Sequence, residues 1–111
     1  MPGRVTLKVE KGPIRGQVFT FDEHDTFIFG RSPDCHARLP EGDRTASRHH
    51  FILEVNPPDA CIRDLGSLNG TYVQRDRIEE TVLRPGDEVQ IGKYRMVFHP
   101  SPRDAGAGAG W

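Results

Sequence analysis

The sequence predicts an all-β sandwich, and two observations carry that expectation. Short runs alternating apolar and polar residues recur at intervals of about eight to twelve positions, each closed by Gly, Pro, Asn or Asp turn chemistry. No window sustains the 3.6-residue apolar period of an amphipathic helix, and twelve glycines and nine prolines interrupt every stretch where a long helix could form. At 111 residues the chain is long enough for one domain with its own core.

Taken in order, Val5 to Val9 alternates as a half-buried strand does, and Pro13 to Gly16 breaks it. Gln17 to Asp22 reads as a second strand with Phe19 and Phe21 on one face. Thr26 to Gly30 repeats the pattern with Phe27 and Phe29, and Ala37 to Leu39 allows a very short strand. His50 to Val55 is apolar enough for a central strand, and Asn56-Pro57-Pro58-Asp59 turns it into an antiparallel partner at Ala60 to Leu65. Thr71 to Val73 follows the Asn69-Gly70 turn, and Asp76 to Val82 suggests a short strand pair. After the turn Arg84-Pro85-Gly86-Asp87, the runs Glu88 to Ile91 and Tyr94 to His99 flank Gly92-Lys93, a two-residue hairpin loop. Residues 1–100 form the domain. The Ala-Gly alternation near the C-terminus has nothing to bury, so 101–111 is expected to be a flexible linker or tail.

Charge and composition narrow the function. A formal net charge of −1 disfavours general nucleic-acid binding or attachment to an acidic membrane, so electrostatic recognition must come from a local patch. No apolar run is long enough to span a bilayer, and the N-terminus lacks the pattern of a secretory signal, which places the chain in the cytoplasm. Cys35 and Cys61 are then expected to be reduced, mostly buried thiols. Zinc held by Cys35, His36, Cys61 and a neighbouring histidine is conceivable. Without Cys-x-x-Cys or His-x-x-x-His spacing, however, no metal and no cofactor is expected.

Three runs carry the chemistry. Arg31 follows Gly30 at a strand end, where its planar fork of donors can meet a phosphate. Ser47 offers a hydroxyl and Arg48 a second charge at the start of the next long strand. His49 and His50, as neighbours on that strand, should point to opposite faces, so only one can be inward. Gly66 and Gly70 let a loop approach a ligand closely, and the Asn69 carboxamide can both donate to and accept from a peptide main chain.

Phe-Gly-Arg at 29–31, Ser-Arg-His-His-Phe at 47–51, Leu-Gly-Ser-Leu-Asn-Gly-Thr-Tyr-Val at 65–73 and Pro-Gly-Asp-Glu-Val-Gln-Ile-Gly at 85–92 closely resemble a forkhead-associated (FHA) domain of bacterial type. The resemblance covers Val5 to Pro100 and implies a sandwich of about eleven strands in two sheets, with phosphothreonine-peptide-binding loops at one end. It implies that Arg31 and Ser47 hold the phosphate with support from Arg48, that Ser67 and Leu68 form the pocket loop, and that Asn69 fixes the peptide backbone. Gly30, His50 and Gly70 would shape the loops, with His50 bracing them from behind. Two positions depart from the family pattern. Leu68 stands where several members carry a phosphate-contacting threonine, and Gln74 replaces a common asparagine, for which only a local turn adjustment is expected.

The resulting expectation is a non-catalytic recognition module in Ser/Thr kinase signalling. It would be monomeric as an isolated domain and would bind a phosphothreonine protein such as a kinase or its substrate. One alternative is a docking or dimerisation domain with a vestigial pocket, which Leu68 keeps open. The other is a phosphoester-cleaving enzyme using Ser47 with His49 or His50, which lacks a metal-binding carboxylate cluster or nucleophile loop.

Overall fold

Alternation in the sequence becomes alternation in burial. In the computed structural model, which describes residues 3–40, 42 and 44–101, strand β1 (Arg4–Lys11) buries Val5, Leu7 and Val9 completely and exposes Arg4 and Lys8. The strands β2 (Val18–Phe21), β3 (Asp25–Gly30) and β4 (Ala37–Arg38) follow, then β5 (Phe51–Asn56) and β6 (Asp59–Asp64). Next come β7 (Thr71–Val73), β8 (Asp76–Ile78), β9 (Glu80–Val82), β10 (Glu88–Ile91) and β11 (Tyr94–Ser101). They form a six-stranded sheet in the order β2-β1-β11-β10-β7-β8 and a five-stranded sheet in the order β4-β3-β5-β6-β9. The all-β sandwich of eleven strands in two sheets is therefore what the described residues form. The tail expected at the C-terminus lies, from residue 102, outside the described residues.

Between the sheets, Phe29 of β3 stacks on Phe51 of β5 with centroids 4.5 Å apart, and Phe19 meets Phe29 edge-on at 5.2 Å. Leu53, Val55 and Ile62 continue this core from one sheet, and Val89, Ile91, Tyr94, Met96 and Phe98 from the other. Ile91 pairs directly with Tyr94, so Gly92-Lys93 is the two-residue hairpin loop its sequence suggests.

Two expectations need correction. Asp76 to Val82 does not form a strand pair: β8 pairs with β7 and β9 with β6, so the chain changes sheets at Glu79. The physical reason is that Ile78 packs against the core while the Glu79 carbonyl accepts the Asp64 N–H (2.8 Å), which pulls the next three residues onto the other sheet. His49 and His50 are not on a strand, because β5 begins at Phe51. The His50 backbone still hydrogen-bonds to Phe29 and Leu65, but its side chain turns into the loops. The expected division holds: His49 is exposed and His50 fully buried. Gln74 and Arg75 both take positive φ (52° and 72°) in the β7–β8 turn, which explains why asparagine would suit position 74.

Gly30 is where the fold tolerates least. A Cβ there would lie 2.0 Å from the Arg48 carbonyl oxygen, because β3 passes directly beneath the segment leading into β5. Gly30→Ala is expected to destabilise the domain by about 3 kcal/mol or more, since backbone rather than a flexible side chain must move. Urea denaturation measures this, and a cost below about 1 kcal/mol would show that the two segments can separate freely.

Candidate functional site

At one end of the sandwich the segments 31–36, 44–50 and 65–70 meet, and each is held by bonds that its own residue types dictate. Asp64 ends β6 with its carboxylate turned back over the next loop: Oδ2 accepts the Gly66 and Ser67 N–H groups, both at 2.9 Å. Oδ1 accepts the hydroxyls of Ser67 (2.5 Å) and Thr71 (2.7 Å). The Ser67 hydroxyl in turn accepts the Gly70 N–H at 3.0 Å. Desolvation pushes the Asp64 carboxyl up, but the hydrogen bonds from Ser67 and Thr71 outweigh it and hold the group below its ordinary value. Ser67 is thus buried inside the loop it was expected to line, while Leu68 projects from the tip, 84% exposed.

His50 joins this loop to the next. Its Nδ1 accepts the Ser47 N–H at 3.0 Å, which assigns the ring proton to Nε2, and Nε2 donates to the Gly70 carbonyl at 2.8 Å. Burial pushes the imidazole below its ordinary value and keeps it neutral. Gly70 has φ +90°, and a Cβ there would meet the Arg77 guanidinium at 2.8 Å.

Across this frame, Ser47 Oγ accepts the Leu68 N–H at 3.1 Å and keeps its own proton for an incoming acceptor. Arg31 donates its backbone N–H to the Ser47 carbonyl (3.2 Å) and Nε–H to the Ala46 carbonyl (2.6 Å), which lays its guanidinium along the same loop. Asn69 Nδ2 donates to the Thr45 carbonyl at 3.1 Å. Arg31, Ser47, Leu68 and Asn69 therefore gather on one ledge. Arg48 joins through its backbone: its carbonyl accepts the Ser32 N–H (3.0 Å) and the Cys35 thiol (3.2 Å), and its side chain is exposed.

Two residues of this framework were not singled out from the sequence. Asp64 could have been found from its spacing, because Asp followed two and three residues later by Gly and Ser is the pattern of a carboxylate closing its own turn. Thr45, whose carbonyl holds Asn69 and whose Oγ1 accepts the Lys93 N–H (3.2 Å), carries no such local signal.

Cys35 and Cys61 are both free thiols, Cys61 only half-buried, and among the described residues neither Cys61 nor His36 joins Cys35 in a group that could ligate a metal. Asp34, Cys35 and His49 do approach within 4.8 Å of one another. Each is already engaged: His49 Nε2 is 2.9 Å from Asp34 Oδ1, and the thiol donates to Arg48. Burial raises the Cys35 thiol and so keeps it protonated, a poor metal ligand.

Among known proteins, the family model described as FHA domain matches residues 27–92. The chain is 43% identical over 102 residues to the glycogen accumulation regulator GarA of Mycobacterium tuberculosis, covering 92% of this chain and 61% of the regulator. It is 40% identical over 102 residues to an oxoglutarate dehydrogenase inhibitor of Corynebacterium glutamicum, covering 92% and 69%. The chain thus spans about three fifths of the mycobacterial relative's length. A solved structure from work on phosphothreonine-dependent FHA domain interactions superposes with TM-score 0.79 at 30% identity, covering 89% of this chain and 98% of that one. Mycobacterium tuberculosis EmbR in complex with a low-affinity phosphopeptide superposes with TM-score 0.76 at 26% identity, covering 89% and 25%.

Acid should act on this frame through both shifted groups. The unfolded chain protonates histidine below about pH 6.5 and carboxylates below about pH 4. In the folded domain His50 and Asp64 resist protonation. Their contribution is therefore full above the unfolded values and is lost as the pH falls through the folded ones. Urea midpoints should decline below about pH 6.5, and His50→Gln should remove that limb. Asp64→Asn should cost about 1.5–3 kcal/mol at neutral pH, by loss of charge-assisted bonds, and flatten the limb below about pH 4. Unchanged slopes in the two variants would contradict the assignment.

Proposed function

This chain belongs to the forkhead-associated family, and on that premise we propose that it is a non-catalytic module recognising phosphothreonine-containing peptides in bacterial Ser/Thr kinase signalling. The observation that supports this best is the ledge itself: an arginine fork, a hydroxyl with a proton to give, a loop N–H and a carboxamide, held by a buried scaffold. Arg31 and the Ser47 hydroxyl proton take the phosphate oxygens, with the exposed Arg48 adding charge, while the Leu68 N–H holds the Ser47 oxygen in place. Asn69 takes the peptide main chain, while Ser67, Gly30, His50 and Gly70 maintain the loop shapes.

Magnitudes are compatible with binding alone. A charge-assisted hydrogen bond contributes about 1.5–3 kcal/mol net. Three or four of them approach the roughly 8 kcal/mol of a micromolar complex once ordering costs are subtracted. The phosphate brings about −1.5 to −2 charges, which a glutamate cannot reproduce.

Catalysis finds no support in the geometry. His50 contacts the Ser47 backbone rather than its hydroxyl, and His49 is paired with Asp34, so no described imidazole is hydrogen-bonded to Ser47 Oγ as a base. The partner in this reading is a phosphothreonine protein, a Ser/Thr kinase or its substrate. The domain acts in the cytoplasm as a monomer when isolated, and it uses no metal and no cofactor. The exposed Leu68 at the loop tip favours a second reading, phosphate-independent docking.

One titration separates the readings. A labelled threonine peptide should bind wild type only when phosphorylated, and Arg31→Ala should weaken the phosphorylated form by at least about tenfold. Equal affinity for both forms, unaffected by Arg31→Ala, would establish docking instead. Leu68→Thr supplies a hydroxyl beside Ser47 and is expected to tighten the phosphopeptide by up to about tenfold, the value of one added hydrogen bond. Weaker binding would show that the Leu68 side chain itself contributes contact.

A further inference from the structure

The outer face of the six-stranded sheet carries a group of cations that phosphate recognition leaves unused. A cavity of about 430 Å³ opens there, lined by Lys11, Gly12, Gln90, Lys93 and Arg95 among others. Strand register brings them together: Lys11 stands opposite Arg95, Arg95 opposite Gln90, and Lys93 lies in the hairpin turn. The first pairing results from a bulge in β1. Val9 pairs with Met96 and Lys11 with Arg95, so Glu10 is the extra residue. Regular pairing would have put the Glu10 carboxylate opposite Arg95. Instead it lies 3.9 Å from Lys8.

Like charges directly across a sheet are destabilising, and among the described residues no carboxylate lines the cavity. Nε of Arg95 is buried with no hydrogen-bond partner among the described residues, an arrangement that costs free energy until an acceptor arrives. The cavity also shares structure with the phosphate ledge. Gly92 lines it, Lys93 N–H donates to Thr45, and the Thr45 carbonyl holds Asn69.

We propose that this cavity is a second anion subsite, which takes carboxylates from an acidic stretch of the same polypeptide that places its phosphothreonine on the ledge. The proposal rests on the phosphopeptide reading. Charge complementarity selects an acidic occupant, and the shared hairpin puts it within reach of one continuous chain. The two subsites together give specificity for phosphothreonines flanked by acidic sequence, in a domain whose net charge of −1 would otherwise disfavour such partners.

The test compares a phosphothreonine peptide flanked by four glutamates with one flanked by four glutamines. Each is titrated calorimetrically into wild type and the Lys11→Gln/Lys93→Gln/Arg95→Gln variant at low and high salt. Glutamate should tighten wild-type binding by about three- to tenfold at low salt. That gain should vanish in the triple variant, which should bind the glutamine peptide as wild type does. The unphosphorylated glutamate peptide should also shift the amide resonances of Lys11 and Arg95, in wild type and Arg31→Ala alike. Equal affinity for the two phosphopeptides would remove the subsite and leave phosphate recognition standing. An affinity for the glutamate peptide that is the same with and without phosphate would overturn the phosphopeptide reading, and with it the two-subsite ligand. Phosphatidylserine vesicles or oligothymidylate binding as tightly as the glutamate phosphopeptide would overturn a polypeptide occupant.

Discussion

The site depends on a buried imidazole that has to be neutral. His50 accepts a hydrogen bond from Ser47 on one side and donates one to Gly70 on the other, and only the tautomer with its proton on Nε2 can do both. Charging the ring would turn Nδ1 into a donor facing the Ser47 N–H, so both the bond and the loop spacing would be lost. Burial opposes that protonation, and the same burial makes the bridge rigid. Two loops, bridged by residues 20 positions apart in sequence, are therefore fixed relative to each other before any ligand arrives. Affinity for a small charged group depends on that, because ordering costs would otherwise consume the few bonds available.

Around this bridge the loops divide into an inner frame and an outer working surface. Asp64, Ser67 and Thr71 satisfy one another inside, so their polar groups are committed to structure. Arg31 is anchored on the Ala46 carbonyl, while Ser47 and Asn69 use a backbone N–H and a backbone carbonyl as anchors and keep further capacity outward. The close approach of β3 to the Arg48 carbonyl is what lets Arg31 and Ser47 share one ledge. Gly30 is the condition for it.

Much of this was legible in the sequence for a physical reason: strands with one buried face must alternate, and turns need particular residues. β1, β3, β5, β6, β10 and β11 follow directly, whereas His49 and His50 divide between solvent and interior although they lie just outside β5. The change of sheet at Glu79 was not legible, because three-residue strands rich in charge have too little pattern to assign a partner. Ser67 is ambiguous in sequence because a serine in a glycine-rich loop offers the same hydroxyl to a ligand or to an internal carboxylate. Which of these it meets is set by Asp64, a residue the strand pattern makes unremarkable. Thr45 is silent in sequence for a different reason. Its partners lie 24 and 48 positions away, a relation that no local spacing encodes.

The cationic cavity is the strongest case of information held only in register. Lys11, Lys93 and Arg95 are ordinary surface residues in the sequence, and Glu10 beside Lys11 suggests local neutralisation. The extra residue in β1 reverses this by sending the carboxylate toward Lys8 and the lysine toward Arg95. A bulge near the rim of a sheet re-aims side chains at modest cost to the ladder. Here it concentrates positive charge on the flank of a hairpin whose turn is pinned through Thr45 to the loop that carries Ser47. Net charge is thus a poor guide to what this domain attracts. At this cavity the bulge keeps the Glu10 carboxylate off Arg95, so Lys11, Lys93 and Arg95 share a lining with no carboxylate among the described residues.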